Sequence, residues 1–268
     1  MLSPEQKAHF DTFGFLVLRQ AFTSEEIDKI TSEAEKLWAE DRKKTSSKDE
    51  QIEIDGFLER TPSLLELLDD DRIQETIEGL LGPGSLWAGS EGQVTYHREH
   101  GWHPDRPGDE EEVSYLRIKV MLYLDPLNKD NGCLRVIPGS HRLPLHTQIE
   151  PENRHQHGEY VKPFDISGPD IPGFPFECRP GDVIFFCQSL WHGMFNGKDG
   201  RRYVALKFAA RPTTDKHLAS LRYYKKDIFE PSDVLLKSDR PRIRKMVEDL
   251  PRLGSKKVPA FVPFRDDN

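Results

Sequence analysis

The chain has 268 residues and a formal net charge of −8, with 38 Lys plus Arg against 46 Asp plus Glu. That balance excludes nucleic acid as the main partner, because phosphate binding needs clustered cations. Mean hydropathy is −0.67 and no apolar run is long enough to cross a bilayer, so no membrane span is expected.

Ser3-Pro4-Glu5-Gln6 predicts a helix start: Ser3 caps, Pro4 fits the first helical position and Gln6 completes a capping box. After Gly14, Phe15-Leu16-Val17-Leu18 reads as a short strand. Thr23-Ser24-Glu25-Glu26 opens a second helix, whose apolar Ile27, Ile30, Ala34, Leu37 and Trp38 recur at helical spacing. Glu40 to Glu53 is charged and serine-bearing and reads as a loop. Two short helices, 62–69 and 71–81, end at Gly82-Pro83-Gly84.

Beyond Gly84 helical periodicity gives way to short strands. Val94-Thr95-Tyr96, Leu116 to Leu124, Cys133 to Ile137, Val183 to Cys187 and Arg202 to Ala209 all read as strands. Asn131-Gly132, within Lys129-Asp130-Asn131-Gly132, predicts a hairpin turn with positive φ at both residues. Arg106 to Val113 and Arg142 to Phe176 are irregular, and such stretches in a compact domain often form lids. The expected fold is mainly β with flanking helices, a sandwich or barrel. A single domain over 1–268 is expected: N-terminal helical padding 1–84, a β-core of about 85–210, and a C-terminal helical extension 211–268. The basic stretch Lys237–Lys245 reads as a solvated helix face. Cys133, Cys178 and Cys187 are odd in number and widely spaced, which reads as reduced, buried thiols of a cytoplasmic protein.

The chemistry lies in His103-Pro104-Asp105 and Trp191-His192-Gly193. Two histidines and one carboxylate, with coordination positions left open, suit non-haem Fe(II). His103 and Asp105 are two apart, so on an extended strand both lean to one side. His192 would join them from a distant strand. His9-Phe10-Asp11 repeats the short motif on a predicted helix, where that spacing does not converge. His97 and His100 read as rim or strand residues, His141 as structural, and His155 and His157 as surface residues. Trp102 and Trp191 flank the ligands, either as packing or as a shield for the metal. Behind His192, Arg201 or Arg202 offers a planar fork for a dicarboxylate, and strand alternation lets only one of them point inward.

These residues resemble the phytanoyl-CoA dioxygenase family over roughly residues 5–210. The motifs are Trp102-His103-Pro104-Asp105, Asp130-Asn131-Gly132-Cys133-Leu134, Ile137-Pro138-Gly139-Ser140-His141, Pro180-Gly181-Asp182, and Trp191-His192-Gly193 with Asn196. The resemblance implies a double-stranded β-helix, a jelly roll related to the cupins. It implies an Fe(II)/2-oxoglutarate-dependent dioxygenase that hydroxylates a small molecule with dioxygen and releases succinate and CO2. His103, Asp105 and His192 match the family's metal ligands. Arg201, aligned backwards from Phe208, matches the co-substrate arginine, whereas counting forward favours Arg202. Gln93, Tyr96 and Lys119 are candidates for further co-substrate contacts. A carboxylate at Asp105, where a smaller residue would open a chloride site, favours hydroxylation over halogenation. Two rival readings remain: a cupin-like metal enzyme that does not use 2-oxoglutarate, and a non-catalytic module that binds metal or 2-oxoglutarate.

Overall fold

The capping signals place the first helices. Ser3 and Gln6 form both halves of a capping box on α1 (Pro4–Phe13), and Thr23 and Glu26 do the same on α2 (Ser24–Arg42). A computed structural model describes residues 2–43, 51–96, 99–149, 166, 168–224 and 226–261. Helix α2 buries Ile27, Ile30, Ala34 and Trp38, one stripe of its surface, and Trp38 stacks on Phe57 at 5.4 Å. Helices α3 (Pro62–Leu65) and α4 (Asp71–Leu81) follow, joined by a 3-10 turn at Glu66–Asp69.

Ten strands make two antiparallel sheets. They are β1 (Phe15–Leu18), β2 (Ile52–Asp55), β3 (Leu86–Thr95), β4 (His100–His103), β5 (Arg117–Tyr123), β6 (Leu134–Val136), β7 (Phe174–Pro175), β8 (Val183–Cys187), β9 (His192–Met194) and β10 (Arg201–Ala209). The large sheet runs β1-β8-β5-β10-β3-β2 and the small one β4-β9-β6-β7. Most neighbours in space are not consecutive in sequence, as in a jelly roll; the exceptions are β2–β3 and β6–β7.

Four expectations need correction. The segment 1–84 is not only helical padding: β1 and β2 form both edges of the large sheet. The stretch read as a loop to Glu53 ends in β2, and residues 44–50 lie outside the described residues. Asn131-Gly132 does not close a hairpin, because β5 and β6 belong to different sheets. Gly132 alone has positive φ, 93°, and a Cβ there would stand 2.7 Å from Gly197 Cα. The acidic run at 109–112 is a short helix, α5 (Glu110–Ser114), capped by Asp109, whose buried Glu112 pairs with the buried Arg117. A buried ion pair of this kind needs the extra partner supplied by Ser220, which bonds both ends.

The C-terminal residues pack as α7 (Asp215–Tyr224), α8 (Asp233–Leu236), α9 (Pro241–Val247) and α10 (Leu250–Ser255). The basic stretch there is more than a solvated face: Arg242 pairs with Asp71 at 2.8 Å and Arg240 with Asp69 at 3.3 Å. Within the long irregular segment, α6 (Leu145–Ile149) and β7 are described, whereas 150–165 lie outside the described residues.

Gly14 makes the turn from α1 into β1. Its φ is 82°, and an added Cβ would stand 2.5 Å from the His141 ring and 2.9 Å from Leu190. Gly14→Ala is therefore expected to destabilise the fold by about 1–3 kcal/mol, the usual cost of such backbone strain, before the clash is counted. The urea midpoint checks this, and an unchanged midpoint would show that the turn relaxes freely.

Candidate active site

Strands β4 and β9 pair so that His103 lies directly opposite His192. Asp105 follows one residue beyond the proline that leaves β4. The bend there, rather than a continued strand, turns its carboxylate back to the histidines. Asp105 Oδ1 lies 3.6 Å from His192 Nε2, the two imidazole centroids are 4.4 Å apart, and the ligating atoms of all three residues fall within 4.8 Å of one another. Each histidine Nδ1 points at the carbonyl two residues earlier, His103 to Gly101 at 2.7 Å and His192 to Leu190 at 2.8 Å. A carbonyl only accepts, so each Nδ1 carries the proton and each Nε2 keeps its lone pair for a metal. Burial, with repulsion from His192 and His100, pushes His103 down to about 3, so its ring is neutral through the physiological range. For Asp105 burial acts upward, but the Lys119 ammonium and the two histidines outweigh it and hold the carboxyl well below the usual range. The donor set fits a divalent metal of the Fe(II) type, with one face left to other ligands.

The triad opens into a cavity of about 660 Å³ between the two sheets. Arg201 lines it, 9% exposed, donating from Nη1 to Gly132 O at 2.6 Å. No carboxylate pairs with it among the described residues, and its buried Nε has no partner. A buried guanidinium in that state calls for an anion. Arg202, one residue on, points out of the cavity and is held by Asp125 at 2.6 Å and Glu35 at 2.8 Å. Alternation thus sends the two side chains to opposite sides of the strand, Arg201 towards the cavity and Arg202 away from it.

Lys119 and Gln93 also line the cavity. Lys119 Nζ sits 2.8 Å from Glu91 and 3.7 Å from Asp105 Oδ2, beside the metal ligands rather than beside Arg201. Gln93 donates to Glu53 at 2.8 Å on the outer wall. Tyr96 does not belong to the site: its hydroxyl accepts from Arg42 at 3.0 Å and it is absent from the lining. His100 lines the mouth, its ring 4.2 Å from that of His103, whereas His97, His155 and His157 lie outside the described residues. His9 packs on Phe13 and Phe15 and is in neither metal grouping found among the described residues. His146 is fully buried on the Ser140 and Ser189 carbonyls and does not line the cavity. Trp102 and Trp191 pack with Ile149, Ile171 and Phe195 behind the ligand strands, outside the cavity.

Sequence reading missed Met121, Tyr123 and Tyr203 as lining residues. Period two supplies the signal: once Lys119 and Arg201 face inward, 121, 123 and 203 share that face. Glu91 was also missed. Burial acts upward on it, but Lys119 and Lys207 bring it down to about 2. A carboxyl lower in the folded than in the unfolded chain stabilises fully above the unfolded value, near 4.5, and that share is lost as pH falls towards 2. Glu91→Gln should therefore flatten the fall in urea midpoint between pH 4.5 and 2.5, and an unchanged slope would contradict the pairing.

Residues 10–202 match the family model described as Phytanoyl-CoA dioxygenase (PhyH). The chain belongs to the phytanoyl-CoA dioxygenase family. It is 24% identical over 225 residues to the peroxisomal phytanoyl-CoA dioxygenase of Rattus norvegicus, covering 72% of this chain and 63% of that protein. It is 28% identical over 216 residues to the ectoine dioxygenase of Sphingopyxis alaskensis, covering 72% and 70%. HygX from Streptomyces hygroscopicus, solved with nickel and 2-oxoglutarate bound, superposes with a TM-score of 0.62 at 18% identity, covering 78% of this chain and 88% of HygX. EctD from S. alaskensis, solved with iron, gives 0.59 at 23%, covering 78% and 76%. These likenesses identify the fold as the expected jelly roll. Less than two thirds of the rat enzyme's length is spanned. Within the PhyH match lie His103, Asp105, His192 and Arg201.

Proposed function

We propose that this PhyH-family protein is an Fe(II)/2-oxoglutarate-dependent dioxygenase that hydroxylates a small molecule, releasing succinate and CO2. The observation that carries this is a pair in one cavity: a triad with both Nε2 atoms free to ligate, and a buried arginine without an anion. Fe(II) held by His103, Asp105 and His192 would supply dioxygen activation coupled to oxidative decarboxylation of the oxoacid. The chain's own groups bind and orient. Gly101 and Leu190 carbonyls fix the two imidazoles, Lys119 steadies the far oxygen of Asp105, and Arg201 fixes the distal carboxylate of 2-oxoglutarate. Met121, Phe186, Leu134 and Met194 give the cavity apolar wall that limits water around the reacting centre.

The substrate would enter past Glu53, Asp55 and Glu99. Such acids repel a polyanionic coenzyme A tail, so a small uncharged or amine-bearing molecule fits this mouth better than an acyl-CoA thioester. Among the similar proteins, one is an ectoine dioxygenase and HygX has been solved with nickel, 2-oxoglutarate and hygromycin B bound, which supports a small-molecule substrate. The three cysteines are free and buried, and none of the described helices is long and apolar enough to cross a membrane. We place the enzyme in the cytoplasm on the cysteine chemistry.

The test is an untargeted metabolite screen that follows succinate with Fe(II), ascorbate and 2-oxoglutarate. Substrate-stimulated succinate and a product heavier by one oxygen are expected. An oxygenated product formed without 2-oxoglutarate would point to the cupin-like alternative. Thermal stabilisation by 2-oxoglutarate without turnover on any compound would point to a binding module.

A further inference from the structure

On β3 one buried carboxylate holds two ammoniums. Glu91 is 5% exposed; its Oε1 lies 2.8 Å from Lys119 Nζ, and its Oε2 meets Lys207. Lys207 lies opposite Lys119 on neighbouring strands, and Ala205, opposite Glu91, is too small to separate the three charged groups. Lys119 stands between two carboxylates. Its distance to Glu91 is that of a hydrogen bond, whereas the 3.7 Å to Asp105 Oδ2 is not. Asp105 is also a metal ligand of the triad. An ammonium and a divalent ion at one carboxylate repel each other, so a cation closing on Asp105 weakens the hold on the metal. Among the described residues Lys119 pairs with no carboxylate besides these two. If Glu91 lost its charge, Asp105 would be the anion that draws the ammonium. Lys207 secures Glu91 from the β10 side, so Glu91 is itself anchored.

We infer that Glu91 is a positioning residue for the metal centre: it restrains the Lys119 ammonium, close enough to steady Asp105 and too far to take that carboxylate from the metal. This rests on the triad reading proposed above. Glu91 touches neither the triad nor the metal position and acts only through Lys119. Its effect on the metal therefore vanishes when Lys119 has no charge, which a residue that merely supports the fold cannot reproduce.

The experiment is calorimetric titration of the full-length protein with Ni(II), with the thermal midpoint measured alongside. Glu91→Gln keeps the shape and removes the charge. It is expected to raise the Ni(II) Kd by roughly 10- to 100-fold, the range for disturbing an outer partner of a metal ligand. The double variant Glu91→Gln/Lys119→Met is expected to return the Kd to within about 3-fold of the unaltered protein, because the two residues are coupled and not additive. Lys119→Arg keeps every charge, so it tests the inference even if Glu91→Gln fails to fold. Its longer, forked head reaches both carboxylates and is expected to raise the Kd by at least about 10-fold. An unchanged Kd in Glu91→Gln or in Lys119→Arg overturns the inference, as does a Glu91→Gln loss that the double variant keeps or deepens. Failure of the unaltered protein to bind Ni(II) would remove the triad reading itself. Normal binding by that protein, matched by Glu91→Gln, removes Glu91 alone.

Discussion

Asp105→Ala is expected to abolish substrate-dependent succinate formation and to weaken divalent-metal binding by more than about 100-fold, the upper range for losing a mere outer partner of a ligand. Asp105 is the only anionic member of the triad. The other two members are imidazoles, which bind a metal through an uncharged Nε2 lone pair, so neither of them offsets the metal's charge. The fold should survive. Lys119, which loses Asp105 at 3.7 Å, keeps Glu91 at 2.8 Å, so no buried ammonium is stranded. Calorimetric titration with Ni(II), alongside the thermal midpoint, separates the two effects. Wild-type metal affinity in Asp105→Ala would exclude this carboxylate as a ligand.

The triad was legible because its signal is chemical: three ligating side chains from two strands, one pair at a spacing that a strand or its bend can bring to one ion. Strands β1 and β8 were legible as well, as short apolar runs set off by Gly14 and by Pro180-Gly181. What stayed hidden has a common physical cause, strands whose inward face is polar because it lines a cavity. In β2 only Ile52 and Ile54 mark the strand, and Glu53 and Asp55 on the cavity side make it read as a charged loop. In β3 the small or polar Gly89, Ser90, Glu91, Gly92 and Gln93 erase the alternation. Gly92 is there because the Phe57 ring lies 2.4 Å from where its Cβ would be. The Asn131-Gly132 pair misled for another reason. Its turn propensity is local, whereas the choice of partner sheet is tertiary: Gly132 bends the chain into β6 and presents its carbonyl to Arg201.

That carbonyl bears on the sharpest test of the co-substrate site, a comparison of adjacent arginines. Arg201→Ala is expected to raise the KM for 2-oxoglutarate by roughly 30- to 1,000-fold, the effect of truncating one partner of a buried, hydrogen-bonded charge pair. Arg201→Lys should recover little, because a point charge cannot reproduce a planar fork that grips a carboxylate while bonding Gly132 O. Arg202→Ala should leave that KM within about 2-fold. It removes a partly exposed pairing with Asp125 and Glu35 and lowers stability by less than about 1 kcal/mol. The two residues share chemistry, strand and position within one step, so a general loss of positive charge would affect both alike. Only the direction in which each side chain leaves β10 distinguishes them. A rise in KM with Arg202→Ala and none with Arg201→Ala would invert the strand's facing.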